Sequence, residues 1–363
     1  MRTPHGSPGE PCIQLAHGGG GSLSQQLIRE LIVPAFGPAD GVLHDAALLP
    51  APGGRLAFTT DSYVVRPLVF PGGDIGRLAV IGSVNDLAMA GAEPLALSLG
   101  LILEEGLPIA SLERVLASIR REAAACGVAV VTGDTKVVER GKGDGVYINT
   151  AAIGRVSHDL TISPAAVRPG DAVLVSGDLG RHGVAILAAR EELGFRTPLE
   201  SDLAPLLEPV RALLAAGLEL HCLRDLTRGG LASALHEIAG AAGVRLELEE
   251  AAIPIAPAVQ AACDLLGLDP LSMANEGRLT LLLPEGQAQA ALAVLRRFDT
   301  AAAQIGVARE PEEASTAGRT PGAMAGPGRS LIGLPRAPVS LRNGLGVRRP
   351  LDPGRGEHLP RIC

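Results

Sequence analysis

Strand-like and helix-like segments alternate along this chain, but not in the repeating strand–helix–strand order that builds a doubly wound parallel sheet. LAFTTDSYVV (56–65) reads as a strand with a polar cluster in its middle. DIGRLAVIGSVNDLAMAGA (74–92) reads as a helix whose apolar face is interrupted by Asn85 and Asp86. A strand (94–106), an amphipathic helix closed by Gly127, a buried strand running into a polar turn (VAVVTGDTKVV, 128–138) and a further strand (146–156) follow. A second unit opens near Arg168. There PGDAVLVSGDLGRHGVAILAAREEL and LRDLTRGGLASALHEIAGAAG each run strand, glycine turn, helix, and two more strands and a helix come after them. The order predicts an α+β class with two domains, residues 1–160 and 161–350, because 363 residues exceed what one compact core organises. Within the second, the Pro/Gly/Ala/Ser-rich stretch 311–338 has too little periodicity for a core element and reads as a mobile insertion. A hairpin is expected around Asn343–Gly344, and residues 351–363 form a flexible tail.

With 2% aromatic residues and no Trp, the core must be aliphatic, and base-stacking platforms are scarce. A formal net charge of −7 also argues against binding a phosphate backbone. No apolar run approaches the roughly 20 residues of a membrane helix, and the first residues lack a signal peptide's apolar stretch, so the expected location is cytoplasmic. Cys126, Cys222 and Cys263 stand in apolar surroundings and read as small core residues. Cys363 does not: it ends the chain in HLPRIC, where an exposed thiol is otherwise a liability. The HGGGGSLS loop feeding a helix could lay its N–H groups on a phosphate, or serve only as a leader.

Five aspartates interrupt apolar segments: Asp45, Asp61, Asp86, Asp134 and Asp225. A lone Asp is commonly a cap or turn former, but several unpaired carboxylates among apolar residues are costly and call for a cation. Oxygen ligands without His or Cys companions suit Mg²⁺, which commonly arrives with nucleotide phosphates. There is no Walker A lysine motif, so the site is not a P-loop. Lys136, two residues after Asp134, could hold a phosphate or a developing negative oxygen, or be a surface lysine. Glu276, in ANEGR, is a candidate base, or else a strand-start acid paired with Arg278.

The ordered set TTDSYVVRPLVFPGGDIGRLAVIGSVNDLAMAGAEPLALSLGLILEEG, TGDTKVV, SGDLGRHG, RDLTRGGLA, DPLSMANEG and a terminal PRIC resembles the HypE family of hydrogenase maturation proteins, the carbamoyl dehydratases. The resemblance runs from about Leu15 to Cys363. It implies an aminoimidazole ribonucleotide synthetase-like fold: an N-terminal dimerising sheet domain, a C-terminal α+β domain and a flexible tail. It also implies that a carbamoyl group on the sulfur of Cys363 is dehydrated with ATP to a thiocyanate, the source of the cyanide on [NiFe]-hydrogenase iron. On this resemblance Cys363, Lys136 and Glu276 carry the chemistry. Asp45, Thr60, Asp61, Asp86, Asp134, Thr135 and Asp225 hold ATP, the five aspartates among them through Mg²⁺. The implied partners are a second copy in a homodimer, the carbamoyltransferase HypF as donor and a HypC–HypD iron complex as acceptor. Two other readings stand beside it. One is a selenophosphate synthetase-like or other phosphoryl-transfer enzyme of the same superfamily, although HGGGGSLS lacks that enzyme's reactive cysteine. The other is a catalytically silent scaffold presenting Cys363.

Overall fold

The computed structural model describes residues 11–18, 26–36, 53–190, 199–311, 338–353 and 362. Asp45, Cys363, the stretch 312–337 and most of the HGGGGSLS loop lie outside the described residues.

The first sheet contains β1 (Arg55–Tyr63), β2 (Ala92–Glu104), β3 (Ala129–Val138) and β4 (Val146–Val156), in the order β1-β4-β2-β3. Only the β2–β3 pair is parallel; β1–β4 and β2–β4 are antiparallel. α1 (Ile75–Met89) and α2 (Ile109–Ala125) cover one face. Among the described residues no helix covers the opposite, open face, where Leu56, Phe58 and Ile102 stand with 58%, 69% and 40% of their surface exposed. VAVVTGDTKVV is one continuous strand rather than a buried strand ending in a turn. Thr132–Lys136 stays extended because its backbone is paired with Ser98–Ile102 of β2, and it is exposed because β3 is an edge strand.

The second sheet has seven strands: β5 (Asp171–Val175), β6 (Cys222–Asp225), β7 (Arg245–Glu249), β8 (Leu279–Pro284), β9 (Ala303–Arg309), β10 (Val339–Arg342) and β11 (Arg348–Pro350). Their order is β11-β10-β7-β9-β5-β8-β6, and only β10 and β7 run parallel. Three of the helices around it are α3 (Arg181–Ala189), α4 (Leu207–Ala215) and α5 (Gly230–Ala242). The β10–β11 hairpin turns at Asn343–Val347, as the Asn-Gly pair predicts.

α1 joins the two halves. Thirteen of its residues, among them Ile75, Leu78, Ile81, Val84 and Leu87, are buried, so it is apolar on nearly every side. A helix of that kind must be enclosed. One side packs on β1, β2 and β4, and another meets β6 and α4. Its start is fixed by Asp74, which accepts from the N–H groups of Gly76 and Arg77 at 2.8 and 3.0 Å. One hydrophobic core runs through α1 and α2 into Leu207, Val210, Leu213, Leu281 and Ile362. Cys126, Cys222 and Cys263 are buried, at 6%, 0% and 0% exposure, as expected for core thiols.

Candidate functional site

A cavity of about 810 Å³ opens between the halves. β1 and α1 line one side with Asp61, Tyr63, Gly82 and Asp86; the β6–α5 connection lines another with Arg224, Asp225 and Thr227–Gly229. Glu276, Asp352, Pro353 and Ile362 also stand in the wall.

Strand periodicity decides which acids reach it. Along β1, Thr59, Asp61 and Tyr63 alternate onto the helix-covered face, while Phe58 and Thr60 point to the open one. Thr60 donates its hydroxyl to the Thr150 carbonyl at 2.8 Å. Tyr63 donates to Asp61 Oδ2 at 2.9 Å, and its hydroxyl lies 3.4 Å from Ser83 Oγ. This approach requires glycine at position 82: a Cβ there would stand 2.3 Å from the Tyr63 hydroxyl oxygen. Thr59 donates to Asp86 Oδ2 at 2.6 Å, aiming that carboxylate from α1 across to β1.

Burial, then the nearby charges of Asp225 and Asp61, push the Asp86 carboxyl up to about 7, against the Thr59 hydroxyl and Arg224. Burial also raises Asp225, with a contribution from Asp61, although Arg224 donates to its Oδ1 at 2.7 Å. Burial and the Asp61 charge raise the Tyr63 phenol well above its usual range, keeping it a donor. Asp61, Asp86 and Asp225 thus crowd one another in the cavity at a cost that a cation would relieve. Among the described residues no three acid, His or Cys groups close into a ready-made metal cage. An all-oxygen set that leaves room for other ligands fits Mg²⁺, which keeps several waters and binds through one or two carboxylates plus phosphates.

Asp134 and Lys136 are not in this cavity. On β3 they sit opposite Gly100 and Ile102 of β2, and so share the open face with Ile102. Their side chains, 71% and 66% exposed, pair at 3.4 Å. Thr135 points the other way along the strand, and its N–H donates to Asp134 Oδ1 at 2.8 Å. Glu276 is 3% exposed, and its backbone N–H is held by Asp202 at 3.3 Å. Arg278 pairs with Asp178 at 2.8 Å and Asp299 at 3.0 Å.

Asn85, which the sequence marks only as a break in an apolar face, ties the halves together through its amide beside Asp86. Its Oδ1 accepts from Leu206 N–H at 2.7 Å, and its Nδ2 donates to the carbonyls of Ala204 and Glu276 at 3.2 and 3.3 Å. An Asn-Asp pair inside an otherwise apolar helix was the available signal. Thr59 is legible only as one end of the polar cluster in β1, and nothing in the sequence singles out Tyr63 or His182.

Two family models match the chain: AIR synthase related protein, N-terminal domain, over residues 43–156, and its C-terminal domain over residues 168–317. Carbamoyl dehydratase HypE of Rhodobacter capsulatus is 47% identical over 354 residues, 97% of this chain and 98% of that protein. A crystal structure of hydrogenase maturation protein HypE in complex with ATP superposes with a TM-score of 0.86 at 45% identity, covering 96% of this chain and 99% of its own. A chain of a crystal structure of a HypE–HypF complex gives 0.73 at 38% identity, covering 90% of this chain and 99% of its own.

Proposed function

The chain belongs to the HypE family of carbamoyl dehydratases, and from that premise we propose that it dehydrates a carbamoyl group on its own Cys363 to a thiocyanate at the expense of ATP. The observation that supports this reading is the burial of Ile362, the residue before Cys363, at 3% exposure in the wall that also carries Asp61, Asp86, Asp225 and Glu276.

The amide oxygen of a carbamoyl thioester is a poor leaving group. In the first step that oxygen attacks the γ-phosphorus of ATP; the new O–P bond replaces the bond to ADP, which departs. In the second, nitrogen gives up its protons, the C–O bond breaks, phosphate leaves and the C≡N bond forms. The sum is S-carbamoyl plus ATP to thiocyanate plus ADP and phosphate. Glu276, in the cavity, takes the N–H proton in this scheme. Asp61, Asp86 and Asp225 would hold Mg²⁺, which when bound neutralises charge on the transferring phosphoryl group. Tyr63 and Thr59 fix the orientations of Asp61 and Asp86 through their hydrogen bonds. Asp45 would join this set.

Asp134 and Lys136 reach the reacting groups from a second copy in this reading, with Thr60 on the same dimer face and Thr135 contributing only through the strand that carries them. Two of the supports are the exposed apolar side chains of Leu56, Phe58 and Ile102 on the open sheet face, and Lys136 beside Ile102 on that face. Residues 1–160 then serve as the pairing unit and 161–350 as the unit that completes the cavity and receives the tail. The carbamoyl group comes from a HypF-type carbamoyltransferase, and a HypC–HypD iron complex accepts the cyanide, in the cytoplasm. Among the described residues no helix is long and apolar enough to cross a membrane.

Phosphate release tests the reading. Full-length protein carbamoylated on Cys363 should consume ATP stoichiometrically, and Cys363→Ala should consume none above background. Equal turnover by the two would refute a tail-borne substrate and favour another phosphoryl acceptor.

A further inference from the structure

Ile362 is the one described residue of the terminal segment 354–363, and it is held in two ways. Its side chain is 3% exposed within the core that α1 and α2 organise. Its backbone carbonyl lies 2.9 Å from Nε2 of His182, in the first turn of α3.

The surroundings of His182 fix both the tautomer and the direction of the ring. A carbonyl oxygen can only accept, so Nε2 carries the proton and Nδ1 is the acceptor. Nδ1 lies 2.8 Å from Ser201 Oγ, which donates to it and itself accepts from Leu203 N–H at 3.1 Å. The His182 backbone N–H donates to Asp202 Oδ1 at 3.1 Å. The ring is 0% exposed and meets Phe70 edge to face, with centroids 5.5 Å apart. Burial lowers the imidazole's pKa, which keeps it neutral in the tautomer these contacts demand. Every direction around the ring is therefore committed to the fold except one N–H, and that one points at the last peptide carbonyl before Cys363.

We propose that His182 is a positioning residue for the terminal cysteine: its Nε2–H and the pocket that buries Ile362 together seat the end of the chain at the wall of the acidic cavity. Held there, the reacting group on sulfur stays within the reach of Glu276 and the aspartates without a stable contact of its own. The interaction is one neutral hydrogen bond and one aliphatic side chain, strong enough to favour the seated state and weak enough to release it to a partner. This inference rests on the reading of Cys363 as the carrier.

Three full-length variants test it. His182→Phe keeps a ring against Phe70 but removes the donor. His182→Gln restores an N–H near the Nε2 position. Ile362→Ala removes the buried side chain without touching the folded body. Alkylation of Cys363 by iodoacetamide is followed by mass spectrometry of the C-terminal peptide, with the buried Cys126, Cys222 and Cys263 as internal controls. Dehydration is followed on pre-carbamoylated protein at saturating MgATP. His182→Phe should label Cys363 roughly 3- to 10-fold faster and dehydrate slower by a similar factor, the range expected for one net hydrogen bond, and Ile362→Ala should shift both by at least roughly 10-fold, because a buried aliphatic side chain contributes more than one such bond. MgATP affinity and labelling of the controls should not change, and His182→Gln should recover most of the rate. Parental labelling and dehydration rates in both His182→Phe and Ile362→Ala would overturn the proposal. So would loss of protection at the internal controls without rescue by Gln, which would mark His182 as a core residue only. If the parent never acquires thiocyanate on Cys363, the carrier reading fails, while faster labelling in the variants would still support the seat.

Discussion

Asn85→Ala should loosen the joint between the halves and, with it, the reaction. The amide is 2% exposed and makes three bonds across the joint, to Leu206 N–H and to the carbonyls of Ala204 and Glu276. Truncation takes the acceptor from the N–H of buried Leu206, which costs about 1–3 kcal/mol. Losing the two longer bonds adds about 0.5 kcal/mol each, for a total of about 3 kcal/mol. At an unfolding entropy of about 2.1 cal/mol/K per residue, 363 residues unfolding together convert this into a Tm drop of about 4 °C. Differential scanning calorimetry reads the shift, and single-turnover dehydration reads its consequence. Because Asn85 holds the Glu276 backbone, the rate should fall more than MgATP affinity does. A Tm within 1 °C of the parent, or a loss confined to ATP affinity, would refute this account of the joint.

In the cation-free protein, the Asp86 carboxyl raised to about 7 means that the folded state holds a proton the unfolded chain has released. Its contribution is full below its ordinary value of 3.8 and disappears as pH rises through about 7, so Asp86→Asn should match or exceed the parent's Tm at pH ~8 while binding MgATP at least roughly tenfold more weakly; a variant destabilised at pH ~8 with unchanged MgATP affinity by calorimetry would contradict both halves. On the proposed pairing through the open sheet face, the parent should sediment as a dimer and Phe58→Asp as a monomer at micromolar concentration, and a variant that sediments as the parent does would remove that face from the pairing. Glu93 is held below its ordinary 4.5 chiefly by hydrogen bonds from Arg211 of α4. Both side chains are more than a third exposed, so Glu93→Gln should cost only about 0.5–1 kcal/mol at neutral pH. That deficit should close as pH falls below 4.5 and Glu93 takes up its proton, and a gap in Tm that widens toward acid would reverse the assignment.

Element order was legible because it depends on local periodicity. The segments read as β1, α1, β2, α2 and β4 lie within a few residues of where they were expected, and the Asn-Gly hairpin turns where its dipeptide says. AQIGVAR, with few β-branched residues, carried too weak an alternation to be read as β9, although it is central in the second sheet. Of the acids, Asp61, Asp86, Asp225 and Glu276 do converge on one cavity. Asp134 and Lys136 lie on the open face because β3 is an edge strand paired in register with β2, a fact about sheet order that no short window contains. The contact between His182 and Ile362 spans 180 positions, and neither residue's neighbours in sequence advertise it.

Whether the terminal thiol carries the substrate can be read from the mass of the C-terminal peptide. The full-length protein is incubated with a HypF-type carbamoyl donor system, the modification is measured, and MgATP is then supplied. The peptide ending in Cys363 should first gain a carbamoyl group and then lose the mass of one water, in step with release of ADP and phosphate. The other four cysteines should stay unmodified throughout. Thiocyanate on any of those four, or an unmodified Cys363 in protein that is turning over ATP, would contradict the carrier role.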